Sequence, residues 1–356
     1  MRARISGLGQ WLPPTVREND AWPPEFAERS RASERRELVD VDPERFSRAD
    51  IIAQRHFEAE AKDPFLGATR RRVAAPSVTA PFAEAEAARD ALEDARISAT
   101  ELDVIISWAA VPERIVPPSA PDVAHRLGAE RAYAIGMDAA CATPIAQLEL
   151  AAALVETGRA RHVLLTQSHL VTRTFPLLHP ASPNIGDAAT AIVVSAAETA
   201  GIVATFARTH GEYYPAVTWR RGKDVDPPWW EAGPATYLGS NDREQAQFLV
   251  RASVRFGADT LRELLERAHS SLDDVTVLAS VQPRRWIPGA IAQALDAPLH
   301  TPHTFDELAH LGGCGVVTNL LAARQAGLLR EGDGALLYAQ GAGFTRAACL
   351  VRWGEA

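Results

Sequence analysis

Lysine and cysteine are both scarce in this sequence of 356 residues. Lys62 and Lys223 are the only lysines, and arginine supplies the rest of the 37 basic residues. Chemistry through a lysine Schiff base is therefore disfavoured. The three cysteines, Cys141, Cys314 and Cys349, form no CxxC pair and no zinc-binding spacing. We therefore predict no metal site, and a reduced, cytoplasmic setting is the simplest interpretation.

The sequence also has little that suits a membrane or a nucleic acid. No uncharged apolar run reaches the roughly 18 residues that a membrane span needs. The first residues, MRARISGLGQWLPP, lack the apolar core of a signal peptide. The net charge of −8 disfavours a broad surface for nucleic acid or anionic lipid. Because no P-loop and no GxGxxG follows a predicted strand, we expect no permanently bound cofactor.

Predicted strands and helices alternate regularly from about residue 80 onward. The sequence is 47% apolar, and buried strands such as LDVIISWAA are followed by helical stretches such as APDVAHRLGA. This alternation is typical of mostly parallel sheets covered by helices. The order repeats in the second half, which predicts a duplicated α/β fold with halves at residues 1–198 and 199–356. Residues 17–75, rich in Arg, Glu and Asp, are predicted to be a helical insertion. It is either a solvated excursion or a lid or acceptor-recognition element.

Cys141 lies where a predicted strand meets a long predicted helix, in MDAACATPIAQLELAAALVETG. A helix N-terminus stabilises a thiolate and lowers the pKa of the thiol. The flanking alanines leave room for an acyl chain. From this pattern alone, Cys141 is either a nucleophile or a small buried residue.

Two glycine-containing loops offer partners for this thiol. His310 begins the first, in AHLGGCGVV, and an imidazole is the usual base beside a nucleophilic cysteine. A structural histidine is the alternative. The second loop, residues 341–343 of YAQGAGFTR, lies between two predicted strands. Its backbone N–H groups can bind a thioester oxyanion, although a tight turn explains the glycines equally well.

Together these segments resemble the thiolase-fold condensing enzymes, specifically the group similar to β-ketoacyl-ACP synthase III. The resemblance covers nearly the whole chain. It places the family nucleophile on Cys141, the oxyanion N–H groups on Cys141 and Ala342, and a glycine–aspartate strand entry on Gly186 and Asp187. It implies a five-layered αβαβα architecture and a homodimer. It also implies an acyl-CoA or acyl-carrier protein as the acyl donor.

The sequence departs from this family at its catalytic positions. The family carries His-Gln-Ala-Asn where this chain reads Val-Gln-Pro-Arg, so Val281 stands in the place of the histidine and Gln282 is retained. His310 stands in the place of the family asparagine, as in thiolases. Val281, Gln282, Gly313 and His179 are candidates for lining the pocket.

These departures favour acyl transfer over carbon–carbon bond formation. Val281 cannot donate a hydrogen bond to a developing enolate, whereas Cys141 and His310 suffice to take an acyl group and pass it to a hydroxyl or amine. The resemblance implies a place in specialised-metabolite biosynthesis of the polyketide or antibiotic type. Two alternatives stay open: Claisen condensation of the synthase III type, and a catalytically silent partner subunit.

Two further segments have open interpretations. Arg70, Arg71 and Arg72 either contact the phosphates of CoA or phosphopantetheine, or form a solvated charge run. Trp229 and Trp230 belong either to an exposed loop at a channel mouth or to a core anchor. We expect Cys314, four residues after His310, to serve packing.

Overall fold

Two β-sheets form the framework of the molecule. The computed structural model describes residues 2–26, 46–60, 62–198, 201–222, 226–233 and 235–354. In spatial order, the first sheet consists of β1 (Arg2–Trp11), β7 (Ala188–Ala197), β6 (His162–His169), β4 (Val104–Ala109) and β5 (Tyr133–Gly136). The second consists of β11 (Val275–Ser280), β12 (Gly334–Gly341), β13 (Thr345–Arg352) and β8 (Ile202–Thr209).

The two sheets repeat one pattern of strand order and direction. In the first sheet, β5, β4 and β6 are parallel, whereas β7 is antiparallel to both β6 and β1. In the second, β11 and β12 are parallel, whereas β13 is antiparallel to both β12 and β8. The order β4-β6-β7-β1 thus corresponds to β11-β12-β13-β8. The placing of a domain boundary between residues 198 and 199 stays a prediction.

Helices fill three layers around these sheets. They are α2 (Ala80–Ala95) and α3 (Ala120–Leu127) on the first sheet, α4 (Thr143–Glu156) and α8 (Cys314–Gln325) between the sheets, and α5 (Arg243–Arg267) and α6 (Ile287–Leu295) on the second. Helix α4 contacts strands of both sheets. Because it is covered on two sides, its apolar residues, including Leu148 and Val155, are fully buried. The layers are those of the mixed α/β fold expected from the sequence.

Glycines in β1 set the distance between the first sheet and its outer helix. A Cβ atom on Gly7 would overlap the carbonyl oxygen of Ala91, and one on Gly9 would overlap that of Ala87. Both carbonyls belong to α2, whose buried face is almost entirely alanine. Strand and helix can therefore pack backbone against backbone.

Smaller elements complete the described chain. They are the antiparallel pair β2 (Thr15–Glu18) and β3 (Arg70–Val73), helix α1 (Arg48–Glu60), the pair β9 (Thr218–Arg220) and β10 (Tyr237–Gly239), and α7 (Phe305–Leu308). The helical insertion predicted over residues 17–75 contains the helix α1, but its two ends pair as strands. Residues 27–45 of that segment lie outside the described residues. Within the described residues, every helix is too short or too polar to cross a lipid bilayer.

Candidate active site

Cys141 lies in a short turn of 3-10 helix that leads into α4. The carboxylate of Asp138 organises the approach to this turn. It accepts hydrogen bonds from the indole N–H of Trp108 at 2.9 Å and from the backbone N–H of Ala140 at 2.7 Å. Ala140 has a φ of +50°, a conformation that costs energy for a residue with a side chain. Trp108, near the end of β4, and Asp138, just after β5, therefore hold the turn in one conformation.

The glycine loop of the second sheet packs directly against this turn. A Cβ atom on Gly341 would lie 3.0 Å from the backbone nitrogen of Cys141, so only glycine fits at this distance. Ala342 lines the same cavity as Cys141. The assignment of the oxyanion hole to the N–H groups of Cys141 and Ala342 stays a prediction, and this close approach is compatible with it.

The thiol of Cys141 is protonated at neutral pH. Burial raises its pKa to about 12, and the negative charge of Asp138 acts in the same direction. Burial therefore opposes the lower pKa expected at a helix N-terminus, because removing a thiolate from water is costly. Cys141 therefore needs a base that takes its proton during attack.

His310 presents an unprotonated nitrogen to the site. Its Nδ1 lies 2.9 Å from the carbonyl oxygen of Gln282. A carbonyl only accepts, so Nδ1 carries the proton and Nε2 carries the lone pair. Burial lowers the pKa of His310 to about 4, which keeps the ring neutral at pH 7. The backbone N–H of His310 donates to Asn184, and its carbonyl accepts from the N–H of Gly186.

A second histidine, His169, lines the same cavity and was not predicted from the sequence. It ends β6, and its Nδ1 lies 2.9 Å from the carbonyl oxygen of Gly186, so its Nε2 also carries a lone pair. The ring centroids of His169 and His310 are 5.6 Å apart. Burial, and then the neighbouring imidazole of His310, lower the pKa of His169 to about 3. The sequence feature that could have identified His169 is its place at the carboxyl end of a predicted parallel strand.

One cavity of about 440 Å³ brings Cys141, His169 and His310 together. Much of its wall is aromatic or aliphatic, and this part includes Trp108, Phe175, Trp219, Leu238, Leu249 and Phe344. An apolar cavity of this size, with a few polar atoms, is typical of a small-molecule site.

Two predicted pocket residues lie outside this wall. Val281 is fully buried in the core between the sheets, so its prediction as a lining residue is wrong. Gln282 is also buried, and its Oε1 accepts from the backbone N–H of Thr304 and from Nδ2 of Asn319. Gln282 contributes to the site through its backbone carbonyl, which binds His310.

Gly313 and His179 were also predicted to line the pocket, and neither does. Gly313 lies against the nucleophile turn, where a Cβ atom would be 3.3 Å from the carbonyl oxygen of Cys141. The ring of His179 packs on Phe175, which does line the cavity, at 4.9 Å between centroids. Cys314 is fully buried near backbone carbonyls, as expected for a packing residue.

Arg71 has a structural role, and its prediction as a phosphate ligand is wrong. The side chain is buried, and its Nε and Nη2 donate to the carbonyl oxygen of Pro183 at 3.0 and 2.7 Å. Nη1 donates to Asn19, and the guanidinium stacks over the ring of Trp22 at 4.6 Å. Because its guanidinium nitrogens already donate within the protein, Arg71 is not available to bind a phosphate.

The neighbouring arginines are accessible. Arg70 is exposed and forms an ion pair with Glu307 at 2.9 Å, while Arg72 is half-buried and donates to the carbonyl oxygen of Pro13. Their proposed contact with CoA or phosphopantetheine stays a prediction. Trp229 and Trp230 are 64% and 69% exposed, so the core-anchor interpretation is wrong. The place of this exposed loop at a channel mouth stays a prediction.

Comparison with known proteins agrees with this fold. A family model described as 3-oxoacyl-[acyl-carrier-protein] synthase III matches residues 135–211, and the model of its C-terminal part matches residues 265–353. Among solved structures, synthase III from Aquifex aeolicus has a TM-score of 0.77 at 25% identity, covering 99% of this chain and 100% of that one. The priming β-ketosynthase of the R1128 polyketide pathway has a TM-score of 0.79 at 22% identity, covering 99% and 97%, which is a likeness of fold.

The sequence relationship extends over most of the chain. The β-ketoacyl-[acyl-carrier-protein] synthase III of Sphingopyxis alaskensis is 31% identical over 288 residues, which are 79% of this chain and 86% of that protein. A relationship of this extent and identity, together with the shared fold, shows that the chain belongs to the β-ketoacyl-[acyl-carrier-protein] synthase III family.

Proposed function

We propose that this chain is an acyltransferase. It loads an acyl group from acyl-CoA or acyl-carrier protein onto Cys141 and passes it to the hydroxyl or amine of a small-molecule acceptor. The observation that carries the proposal is the tautomer of His310. Its Nδ1–H is bound to the carbonyl of Gln282, so Nε2 accepts a proton but donates no hydrogen bond while the ring is neutral.

The first half-reaction acylates Cys141. His310 takes the thiol proton as the sulfur attacks the thioester carbonyl carbon. A new C–S bond forms to Cys141, the bond to the donor sulfur breaks, and His310 returns the proton to the leaving thiolate. The proposed oxyanion N–H groups of Cys141 and Ala342 stabilise the negative oxygen between these events.

The second half-reaction releases the acyl group to the acceptor. The acceptor oxygen or nitrogen attacks the acyl carbon and gives its proton to an imidazole in the cavity. The C–S bond to Cys141 breaks, and the proton returns to sulfur. No electron transfer occurs, so this sequence needs no redox group.

Decarboxylative condensation makes a different demand on the site. It needs hydrogen-bond donors to the malonyl thioester oxygen as an enolate forms. Val281 lies outside the cavity, and both imidazoles there present acceptors. By analogy with oxyanion-hole deletions, each missing donor raises the barrier by roughly 3–4 kcal/mol. This mismatch favours transfer to oxygen or nitrogen over carbon–carbon bond formation.

The acylation step is tested by incubating the purified protein with short- and medium-chain acyl-CoAs and measuring its intact mass. We expect one acyl adduct on the wild type and none on Cys141→Ala. Cys314→Ala is the matched control, because Cys314 is fully buried outside the cavity wall, and this variant should be acylated like the wild type.

A second assay separates transfer from condensation. The protein is given a malonyl thioester together with acyl-CoA, and CO₂ release is followed. Release that depends on Cys141 and matches the rate of acylation would replace the proposed acyl transfer by condensation. We expect release no faster than with Cys141→Ala.

A further inference from the structure

His169 is the feature of the cavity that the family resemblance does not account for. It belongs to the first half of the chain, at the end of β6, whereas His310 belongs to the second half. Its side chain is almost completely buried and lines the same cavity as Cys141. An aliphatic side chain would fill such a place without the cost of burying a polar ring.

The surroundings of His169 fix which nitrogen faces the cavity. The carbonyl oxygen of Gly186 holds Nδ1–H at 2.9 Å. Over the part of the chain that the structure describes, Nε2 has no hydrogen-bond partner. Gly312 makes room for this edge of the ring, because a Cβ atom there would lie 2.9 Å from Nε2. The ring is thus held with its lone pair available, next to a second imidazole held in the same way.

We propose that His169 is the catalytic base of the second half-reaction and takes the proton of the acceptor hydroxyl or amine. This inference rests on the proposed acyl transfer and divides its two proton transfers between two residues. His310 serves the thiol of Cys141, and His169 serves the acceptor. The acceptor is accordingly a molecule that brings an O–H or N–H group into a largely apolar cavity.

The step balances without any further reactant. The acceptor oxygen or nitrogen forms a bond to the acyl carbon, and its proton moves to Nε2 of His169. The C–S bond to Cys141 then breaks, and the proton on His169 returns to the thiolate. Both imidazoles are neutral again at the end of the cycle.

Two variants of His169 distinguish a base from a structural residue. His169→Asn keeps a donor for the carbonyl of Gly186 at the place of Nδ1, but it has no base at the place of Nε2. His169→Gln places an amide near Nε2, which can accept a hydrogen bond but cannot take up a proton. His56→Asn is the control, because His56 is a partly buried histidine that stacks on Trp286 outside the cavity wall.

The experiment prepares each acyl-enzyme with acyl-CoA and follows its decay by intact mass. Water is the first nucleophile, since it must lose a proton to a base as it attacks. Hydroxylamine is the second, since its free amine attacks without one. In both histidine variants we expect unchanged acylation, hydrolysis slowed about 100-fold, and unchanged reaction with hydroxylamine. The control variant should behave like the wild type.

Three results would overturn this role of His169. They are hydrolysis of the His169→Asn acyl-enzyme at the wild-type rate, restoration of hydrolysis by His169→Gln, and loss of acylation in His169→Asn. Failure of the wild type itself to form an acyl adduct would refute the proposed acyl transfer instead. The two hypotheses therefore fail in different measurements.

Discussion

At the scale of single residues, two backbone carbonyls determine the tautomers of the two histidines in the site. The carbonyls of Gln282 and Gly186 each bind the Nδ1–H of a histidine, and in both cases Nε2 is left as the basic atom. Burial keeps both rings neutral well below pH 7. This arrangement lowers the stability of the fold in acid, because the unfolded chain can protonate these histidines and the folded chain cannot.

We predict that the free energy of unfolding falls as the pH is lowered, and that His310→Asn reduces this fall. Histidine in the unfolded chain titrates near pH 6.5, whereas folded His310 titrates near 4. Between these values the unfolded state binds a proton that the folded state does not, so the free energy of unfolding falls as the pH falls. At pH 5, His310 should account for a loss of about 2 kcal/mol relative to pH 7.

Urea unfolding at pH 7 and pH 5 measures this difference. Asparagine keeps a donor for the carbonyl of Gln282, so His310→Asn should lose about 2 kcal/mol less than the wild type between the two pH values. His125→Asn, a change at an exposed histidine, should follow the wild type. Equal losses in the wild type and in His310→Asn would contradict the burial argument.

The sequence predicts part of this site, and the remainder depends on side-chain direction. Cys141 and His310 have recognisable settings, and the structure places both in one cavity. His169 has no motif around it, because it reaches the site only when the ends of parallel strands come together. Val281 stands at the family's histidine position in the sequence, yet its side chain joins the core. The position of Val281 in the sequence does not predict which way its side chain points.

At the scale of elements, the close packing of β1 on α2 is a consequence of particular glycines. We predict that Gly9→Ala destabilises the protein by about 1–3 kcal/mol, because the new methyl group would overlap the backbone carbonyl of Ala87. Thermal or urea unfolding measures the change. Gly211→Ala is the matched control, since a Cβ atom at Gly211 meets nothing within 4 Å.

An equal effect of the two substitutions would contradict this explanation. It would point to the general cost of replacing glycine instead of a specific overlap.

The alternation of strands and helices could be predicted from the sequence because hydrophobic periodicity marks each element. The strand pair at the ends of the 17–75 segment was missed, because β2 and β3 are only four residues long and carry mainly charged or half-exposed side chains.

At the scale of the whole molecule, the resemblance implies a homodimer, and β5 offers a place for it. β5 is one of the two edge strands of the first sheet, and its Tyr133 is 67% exposed. We propose that two copies meet along this edge. Tyr133→Glu should then weaken the dimer, because each copy would bring an extra negative charge to the proposed interface.

Sedimentation equilibrium over a range of protein concentrations measures this effect. Tyr214→Glu is the control, because Tyr214 is 72% exposed and belongs to a short helical turn, Gly211–Ala216, outside β5. It should leave the association constant unchanged. A monomeric wild type, or equal weakening by both variants, would refute an interface along β5.

One residue, Gly186, connects the two proposed bases. The carbonyl of Gly186 holds His169, and the N–H of the same residue donates to the carbonyl of His310. A Cβ atom on Gly186 would overlap the carbonyl oxygen of Leu308, so this residue has little freedom to move. Kinetically, a disturbance at Gly186 should slow both half-reactions in parallel, whereas changes at His169 or His310 should separate them. We therefore expect the rates of acylation and deacylation of Cys141 to depend together on the position of this one glycine.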